Sequence, residues 1–124
     1  MTQEEKELVL QDLSARVPYG VKVRFSYVIT SPAILRGIDK DLIECDVAMC
    51  EIEDVRPYLF PLSSMIEEQK EEYHNLCSVG TDECGDIIYF NTYESIGYLN
   101  KNKFDYRYLI PMGLAIDATG LEIY

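Results

Sequence analysis

Apolar residues recur every three or four positions near the start of the chain, at Val9, Leu10, Leu13 and Val17, which is the spacing of one buried helix face. Thr2 followed by Glu5 three residues later forms a capping box in front of that run, so a helix is predicted to open at Thr2. It should stop near Arg16, because Pro18 biases Val17 away from helical dihedrals and Tyr19-Gly20 follows as a turn. The period then changes from helical to alternating. Val21, Val23, Phe25 and Tyr27 interleave with Lys22, Arg24 and Ser26, giving a strand with one buried face and a basic outer face. Thr30-Ser31-Pro32 breaks it, Ala33 to Ile38 reads as a second strand, and Asp39-Lys40-Asp41 turns the chain into a third from Leu42 to Met49. These three are expected to form an antiparallel meander. In the third, Ile43, Cys45, Val47 and Met49 share one face while Glu44 and Asp46 share the other.

Beyond Glu53 the pattern is less regular. Asp54 to Leu62 contains Pro57 and Pro61, which favours a short turn or a single 3₁₀ segment. Ser64 with Glu67 reads as a second capping box opening a helix to about Leu76, with Met65, Ile66, Gln69, Tyr73 and Leu76 on its buried side. Ser78 to Asp86 is read as a polar loop and Ile87 to Phe90 as a short strand, after which Thr92 caps a helix that turns Ile96 and Leu99 inward. Asp105 is expected to cap one further turn, Tyr106 to Met112, ended by Pro111 and Gly113. Leu114 to Tyr124 reads as a hairpin about Ala118-Thr119-Gly120, with Leu121 and Ile123 on one face. The predicted fold class is therefore α+β: a three-stranded antiparallel meander packed with the amino-terminal helix, two to three further helices and a carboxyl-terminal hairpin.

A chain of 124 residues fits one domain, 1–124, and its 48% apolar content sets it apart from disordered acidic tails. Its longest apolar runs are far below the roughly 18 residues needed to span a bilayer, and Met1 to Lys6 lacks the positive flank and apolar stretch of a secretory signal. A cytoplasmic protein without membrane contact is expected, with Cys45, Cys50, Cys77 and Cys84 as thiols.

Charge is regional. Residues 39–86 hold 14 Asp and Glu against 3 Lys and Arg, a balance of −11 that equals the net charge of the whole chain. Such asymmetry bears on partners and not on fold. Within the helix after Ser64, Glu67 and Glu71, and Glu68 and Glu72, are like-charge pairs four apart, which each cost a few tenths of a kcal/mol.

Two blocks carry a resemblance. Val55-Arg56-Pro57-Tyr58-Leu59-Phe60-Pro61-Leu62-Ser63-Ser64-Met65 with the Glu-rich helix behind it is one, and Phe104-Asp105-Tyr106-Arg107-Tyr108-Leu109-Ile110 with Gly113-Leu114-Ala115-Ile116-Asp117 is the other. Both resemble a family of small uncharacterised proteins encoded by phages and prophages of Bacteroidetes, as does the segment Arg16-Val17-Pro18-Tyr19-Gly20-Val21. The resemblance implies a bacterial host and a phage or prophage setting, and it transfers no activity. Tyr108 stands where the family leads one to expect glycine, and Pro111 replaces a more helix-friendly residue, both against a regular last helix.

Candidate chemistry is sparse. His74 and Cys77 lie three apart on the second helix with Cys84 seven further on, but one histidine and no tight cysteine pair fall short of a zinc site. A Cys-His nucleophilic pair would need a third group to orient the base, and the surrounding glutamates oppose a thiolate. The simpler expectation is that Cys45 and Cys77 are small buried side chains and His74 a surface residue. Asp39, Asp41, Glu44 and Asp46 lack the glycine and final glutamate of a calcium loop. No phosphate-cradling glycine loop or nucleophile elbow occurs, so neither an enzymatic activity nor a cofactor is specified. Ten tyrosines with few basic residues suit protein contacts better than nucleic acid.

The expectation that results is a non-enzymatic phage-type accessory protein that binds another protein through an acidic face. Glu44, Asp46, Glu51, Glu53, Asp54, Glu67, Glu68, Glu71 and Glu72 are its candidate residues, facing a basic protein surface. Two alternatives compete with it: a small-molecule binder or enzyme with a pocket between the sheet and the later helices, and a self-assembling structural component.

Overall fold

The computed structural model describes residues 1–25, 32–40 and 42–124. The first helix, α1 (Gln3–Arg16), opens on the expected capping box: the Glu5 N–H donates to Thr2 Oγ1 at 3.1 Å and the Thr2 N–H to Glu5 Oε1 at 2.8 Å. A 3₁₀ turn, Val17–Tyr19, and Gly20 at φ 67° end it where Pro18 predicted. Strands β1 (Lys22–Phe25), β2 (Ala33–Asp39) and β3 (Leu42–Cys45) pair antiparallel in sequence order. The far end of the predicted first strand, Ser26 and Tyr27, and the break at Thr30-Ser31 lie outside the described residues.

The third strand is shorter than predicted. After Cys45 the chain turns, the Cys45 N–H donating to the Ala48 carbonyl at 2.9 Å, and returns as β4 (Met49–Glu51) antiparallel to β3. Val47 and Met49, expected on the buried face with Ile43 and Cys45, are therefore exposed. The alternation of period two ran unbroken through the turn in the sequence, which hid it.

The largest departure is β5 (Val55–Pro61), read from its prolines as a turn. It lies inside the seven-stranded sheet of order β4-β3-β2-β1-β5-β8, where β8 is Phe104–Asp105 and β9 (Ile116–Asp117) also pairs with β5. Its pairing is antiparallel to β1 and parallel to β8 and β9. Pro57, Tyr58 and Leu59 are buried in succession, the run expected of a strand covered on both faces. In an antiparallel ladder alternate residues turn their N–H away from a given neighbour, so a proline at such a position costs no bond to it.

After a 3₁₀ turn at Leu62–Ser64 comes α2 (Glu67–Leu76). Ser64 does not cap it, since its hydroxyl donates to the Pro61 carbonyl at 2.6 Å; instead Gln69 Oε1 accepts the Ile66 N–H at 3.0 Å. Of the predicted buried side only Met65 is fully covered, and Ile66 and Leu76 are exposed. The predicted polar loop contains a strand, β6 (Ser78–Thr81), paired antiparallel with β7 (Ile87–Phe90) in a separate two-stranded sheet. Helix α3 (Tyr93–Lys101) follows with Thr92 as its cap and Leu99 buried, as predicted.

Asp105 performs the predicted capping chemistry without a helix. Its carboxylate accepts the Leu109 and Ile110 N–H groups at 2.9 Å each, while residues 106–112 form successive turns with Tyr108 at φ 58°. The carboxyl-terminal hairpin is also absent: the turn at Ala118 to Gly120 forms, but the only strand beside it is β9, which runs parallel to β5. Tyr124 instead places its hydroxyl between β1 and β5, accepting the Lys22 N–H at 2.7 Å and donating to the Tyr58 carbonyl at 2.8 Å. It fills the ladder position next to the Val23 and Pro57 pair, and burial pushes its hydroxyl pKa far up.

Two clusters make the core. The larger joins α1 to the sheet through Val9, Leu13, Val21, Val23, Leu35, Ile43, Val55 and Leu59; the smaller joins Met65, Leu99 and Phe104. Asp12 and Arg16 are fully buried between them. Arg16 meets Asp12 at 3.0 and 3.1 Å and donates to the Phe104 carbonyl at 2.7 Å, and Arg107 reaches the same carboxylate at 2.8 Å. Among the described residues no helix is long and apolar enough to cross a membrane.

Candidate interaction site

The nine candidate carboxylates fall into two groups. Glu44 is exposed on β3, Asp46 lies in the turn after it, Glu51 is on β4, and Glu53 and Asp54 belong to the 3₁₀ turn Ile52–Asp54. Asp46 is a turn residue and not part of a strand face: its carboxylate accepts the Ile34 N–H at 3.0 Å. Glu53 pairs with Lys6 of α1, which lowers its carboxyl pKa chiefly through that hydrogen bond. Glu51, Glu53, Glu7 and Lys6 border a cavity of about 340 Å³ under the start of α1.

Glu67, Glu68, Glu71 and Glu72 form the second group, all exposed on α2. Helix α2 packs on α3, which touches β8 at the opposite end of the sheet from β4. Five strand spacings separate β4 from β8, about 24 Å at 4.7–4.9 Å each. The structure thus gathers each group but does not merge them into one continuous acidic face.

The α2 group belongs to the more strongly charged surface. Between residues 67 and 101 there are eight carboxylates against Lys70 and Lys101, so −6 of the chain's −11 lies in α2, the β6–β7 hairpin and α3. Glu67 meets Lys70 at 3.4 Å and Glu72 accepts the Tyr98 hydroxyl at 2.9 Å. That hydroxyl is pushed up to about 12, first by burial and then by the Glu72 contact. Side-chain contacts knit the unit together: the Tyr73 hydroxyl donates to Asn91 at 2.5 Å, and Thr92 to the Leu76 carbonyl at 2.6 Å. The His74 ring lies flat on Tyr89, 3.8 Å between centroids with 4° between planes, so this surface residue is partly covered.

Aromatic surface adjoins these charges. A groove of about 610 Å³ runs between the end of α1 and α3, lined by Tyr19, Leu76, Tyr93, Ile96 and Tyr98. Tyr93 is 92% exposed, and Val79, Ile87 and Phe90 of the hairpin each leave more than half their surface open. Sequence reasoning missed this apolar component because it assigned Ile66 and Leu76 inward and read β6 as loop. The turn of this hairpin, inside the segment read as a polar loop, is held by Asp82 Oδ1, which accepts the Cys84 and Asp86 N–H groups at 2.9 Å each, the local bonding that makes aspartate a turn residue.

The cysteines do not assemble a reactive centre. Cys45 and Cys50 are buried, with burial pushing their thiols up to about 11 and about 12, while Cys77 is partly covered and Cys84 exposed. All four are free thiols, and the described residues contain no group of three or more His, Cys, Asp or Glu side chains arranged to hold a metal ion. Comparison of the chain with protein-family models, curated proteins and solved structures returned no match.

Proposed function

We propose that this protein is a non-enzymatic interaction module that binds a basic partner protein through the surface of α2, the β6–β7 hairpin and α3. The observation that carries the reading is the juxtaposition of Glu94, Glu72 and Glu68 with the tyrosine-lined groove: Glu94 lines it, Glu72 accepts the Tyr98 hydroxyl, and Glu68 lies near enough to act on that hydroxyl. Protein interfaces place aromatic side chains, tyrosine foremost, at a desolvated centre and charge at the rim. Here Tyr19, Tyr93 and Tyr98 supply the centre, and Glu68, Glu72 and Glu94 the rim. Exposed like charges at four-residue spacing weaken α2 on its own, and a cationic partner would relieve that repulsion. The carboxylates about β3 and β4 form a second acidic surface, which would add long-range steering. The resemblance of the two sequence blocks to phage and prophage proteins supports a phage accessory setting for this role.

Affinity capture from a bacterial lysate at low and high salt tests the proposal, using the native chain and a variant with Glu67, Glu68, Glu71 and Glu72 all changed to Lys. A partner should be retained at low salt, lost as screening rises, and lost from the variant under both conditions. Retention by the variant at unchanged strength would refute the assignment to α2.

A further inference from the structure

In a chain with twice as many acidic as basic residues, three lysines gather at one place. Lys103 follows α3 and is half-buried, Lys101 ends that helix, and Lys22 opens β1. The Tyr124 ring lies between two of them, with Lys103 Nζ 5.2 Å and Lys22 Nζ 5.6 Å from its centroid. Among the described residues, none of the three forms an ion pair with a carboxylate. Burial, and then the neighbouring charges of Arg16, Lys22 and Lys101, hold the Lys103 ammonium below its ordinary pKa. Positive charge is therefore concentrated here, with Lys22 Nζ donating to the Ile123 carbonyl and no carboxylate paired to any of the three among the described residues.

A cavity of about 480 Å³ opens at this point, between the sheet and helices α2 and α3. One side is aromatic: Phe60 lies 6.4 Å from Phe104 and 5.8 Å from Tyr124, centroid to centroid. Lys101, Lys103, Gln69 and Thr119 also line it. Gln69 spends its carbonyl oxygen on the Ile66 N–H, which leaves its amide hydrogens as donors. Lys103 is moreover held at φ 62°, a left-handed conformation that costs a side-chain-bearing residue energy and suits glycine. Its backbone serves the fold, the N–H donating to Asn100 at 3.2 Å and the carbonyl accepting from Phe60 at 2.8 Å. Glycine would keep both bonds. A lysine thus stands where the backbone alone would favour glycine.

We propose that this cavity binds a small organic phosphate, with the phosphate at Lys101 and Lys103 and a flat apolar portion against Phe60, Phe104 and Tyr124. The site borders the acidic surface assigned above, with Lys101 lining both this cavity and the tyrosine-lined groove, but it uses none of that surface's carboxylates. The cavity is several times larger than a phosphate group, which is why an organic portion is included. Ammonium groups bind phosphate as point charges, and an aromatic wall favours a flat group beside them.

Phenyl phosphate is a direct probe, compared with inorganic phosphate and phenol, and followed by backbone amide NMR and thermal unfolding. Phenyl phosphate should shift the resonances of Phe60, Lys103, Phe104 and Thr119 and bind more tightly than either fragment. Lys103→Gly should unfold at an equal or higher temperature without ligand, yet bind phenyl phosphate about tenfold or more weakly, as expected for loss of a charged contact. Lys101→Ala should weaken binding in the same direction. The proposal is overturned if phenyl phosphate leaves these resonances unmoved, if inorganic phosphate binds as tightly, or if Lys103→Gly binds as the native chain does.

Discussion

Asp12→Asn isolates the energetic keystone of the fold. Asp12 and Arg16 have no side-chain exposure, and the carboxylate is shared by Arg16 at 3.0 Å and Arg107 at 2.8 Å. Amidation keeps the shape and removes the negative charge, leaving the Arg16 guanidinium buried with only the Phe104 and Leu99 carbonyls, at 2.7 and 3.5 Å. Breaking one side of a buried ion pair costs about 3–5 kcal/mol. The amide oxygen can still accept one bond and Arg107 is partly open to water, so the lower end applies, about 3 kcal/mol. Set against a typical stability of about 5–15 kcal/mol, that is a large fraction, and the midpoint of thermal unfolding should fall by roughly 10–15 °C for a chain of this size. Urea unfolding of the native chain, Asp12→Asn and the double variant Asp12→Leu with Arg16→Met would measure it. Because replacing both charges removes the stranded cation, the double variant should lose less than Asp12→Asn alone. A loss below about 1 kcal/mol for Asp12→Asn, or a double variant worse than the single, would refute the reasoning.

Three further outcomes are expected. Alkylation at pH 8 should modify Cys84 fastest, whereas Cys45 and Cys50, buried and shifted to about 11 and 12, should react only on unfolding; prompt labelling of all four would contradict their placement. Those raised thiols have an ordinary value of 9.0, so the unfolded chain ionises first: their stabilising contribution is whole below pH 9 and is lost as pH rises toward 11–12. Urea midpoints measured from pH 8 to 11 should decline, and a flat profile would count against it. Tyr108→Gly should stabilise the fold by up to about 1 kcal/mol, because Tyr108 is exposed and sits at φ 58°; thermal unfolding checks this, and a destabilised variant would mean the ring contributes more than its backbone costs.

Local signals in the sequence translated well where a side chain bonds its own neighbourhood. Thr2, Thr92 and Asp105 each make the capping contacts their chemistry dictates. Periodicity placed β1, β2 and β3, and the buried faces of the first and third at Val21, Val23, Phe25, Ile43 and Cys45. What failed depended on partners distant in the chain. Pro57 is compatible with a strand only because β1 supplies a register that needs no N–H from it, and β9 became a parallel strand because β5 was there to receive it. The buried Asp12, Arg16 and Arg107 network joins residues up to 95 positions apart, and nothing in the spacing of Asp12 and Arg16 marks them as interior and not an exposed pair four apart. Of the candidate site, the residue types were legible and their exposure largely correct, but their division between two ends of the sheet was set by a strand order the sequence does not display.

Hydrogen exchange on a captured complex tests the assignment of function most directly, because it maps protection along the chain without changing a residue. Bound partner should slow exchange of backbone amides within residues 67–100, above all on α2 and the β6–β7 hairpin, and leave β3 and β4 near their free rates. Protection confined to β3 and β4, or absent from α2 and the hairpin while the partner remains bound, would contradict the account.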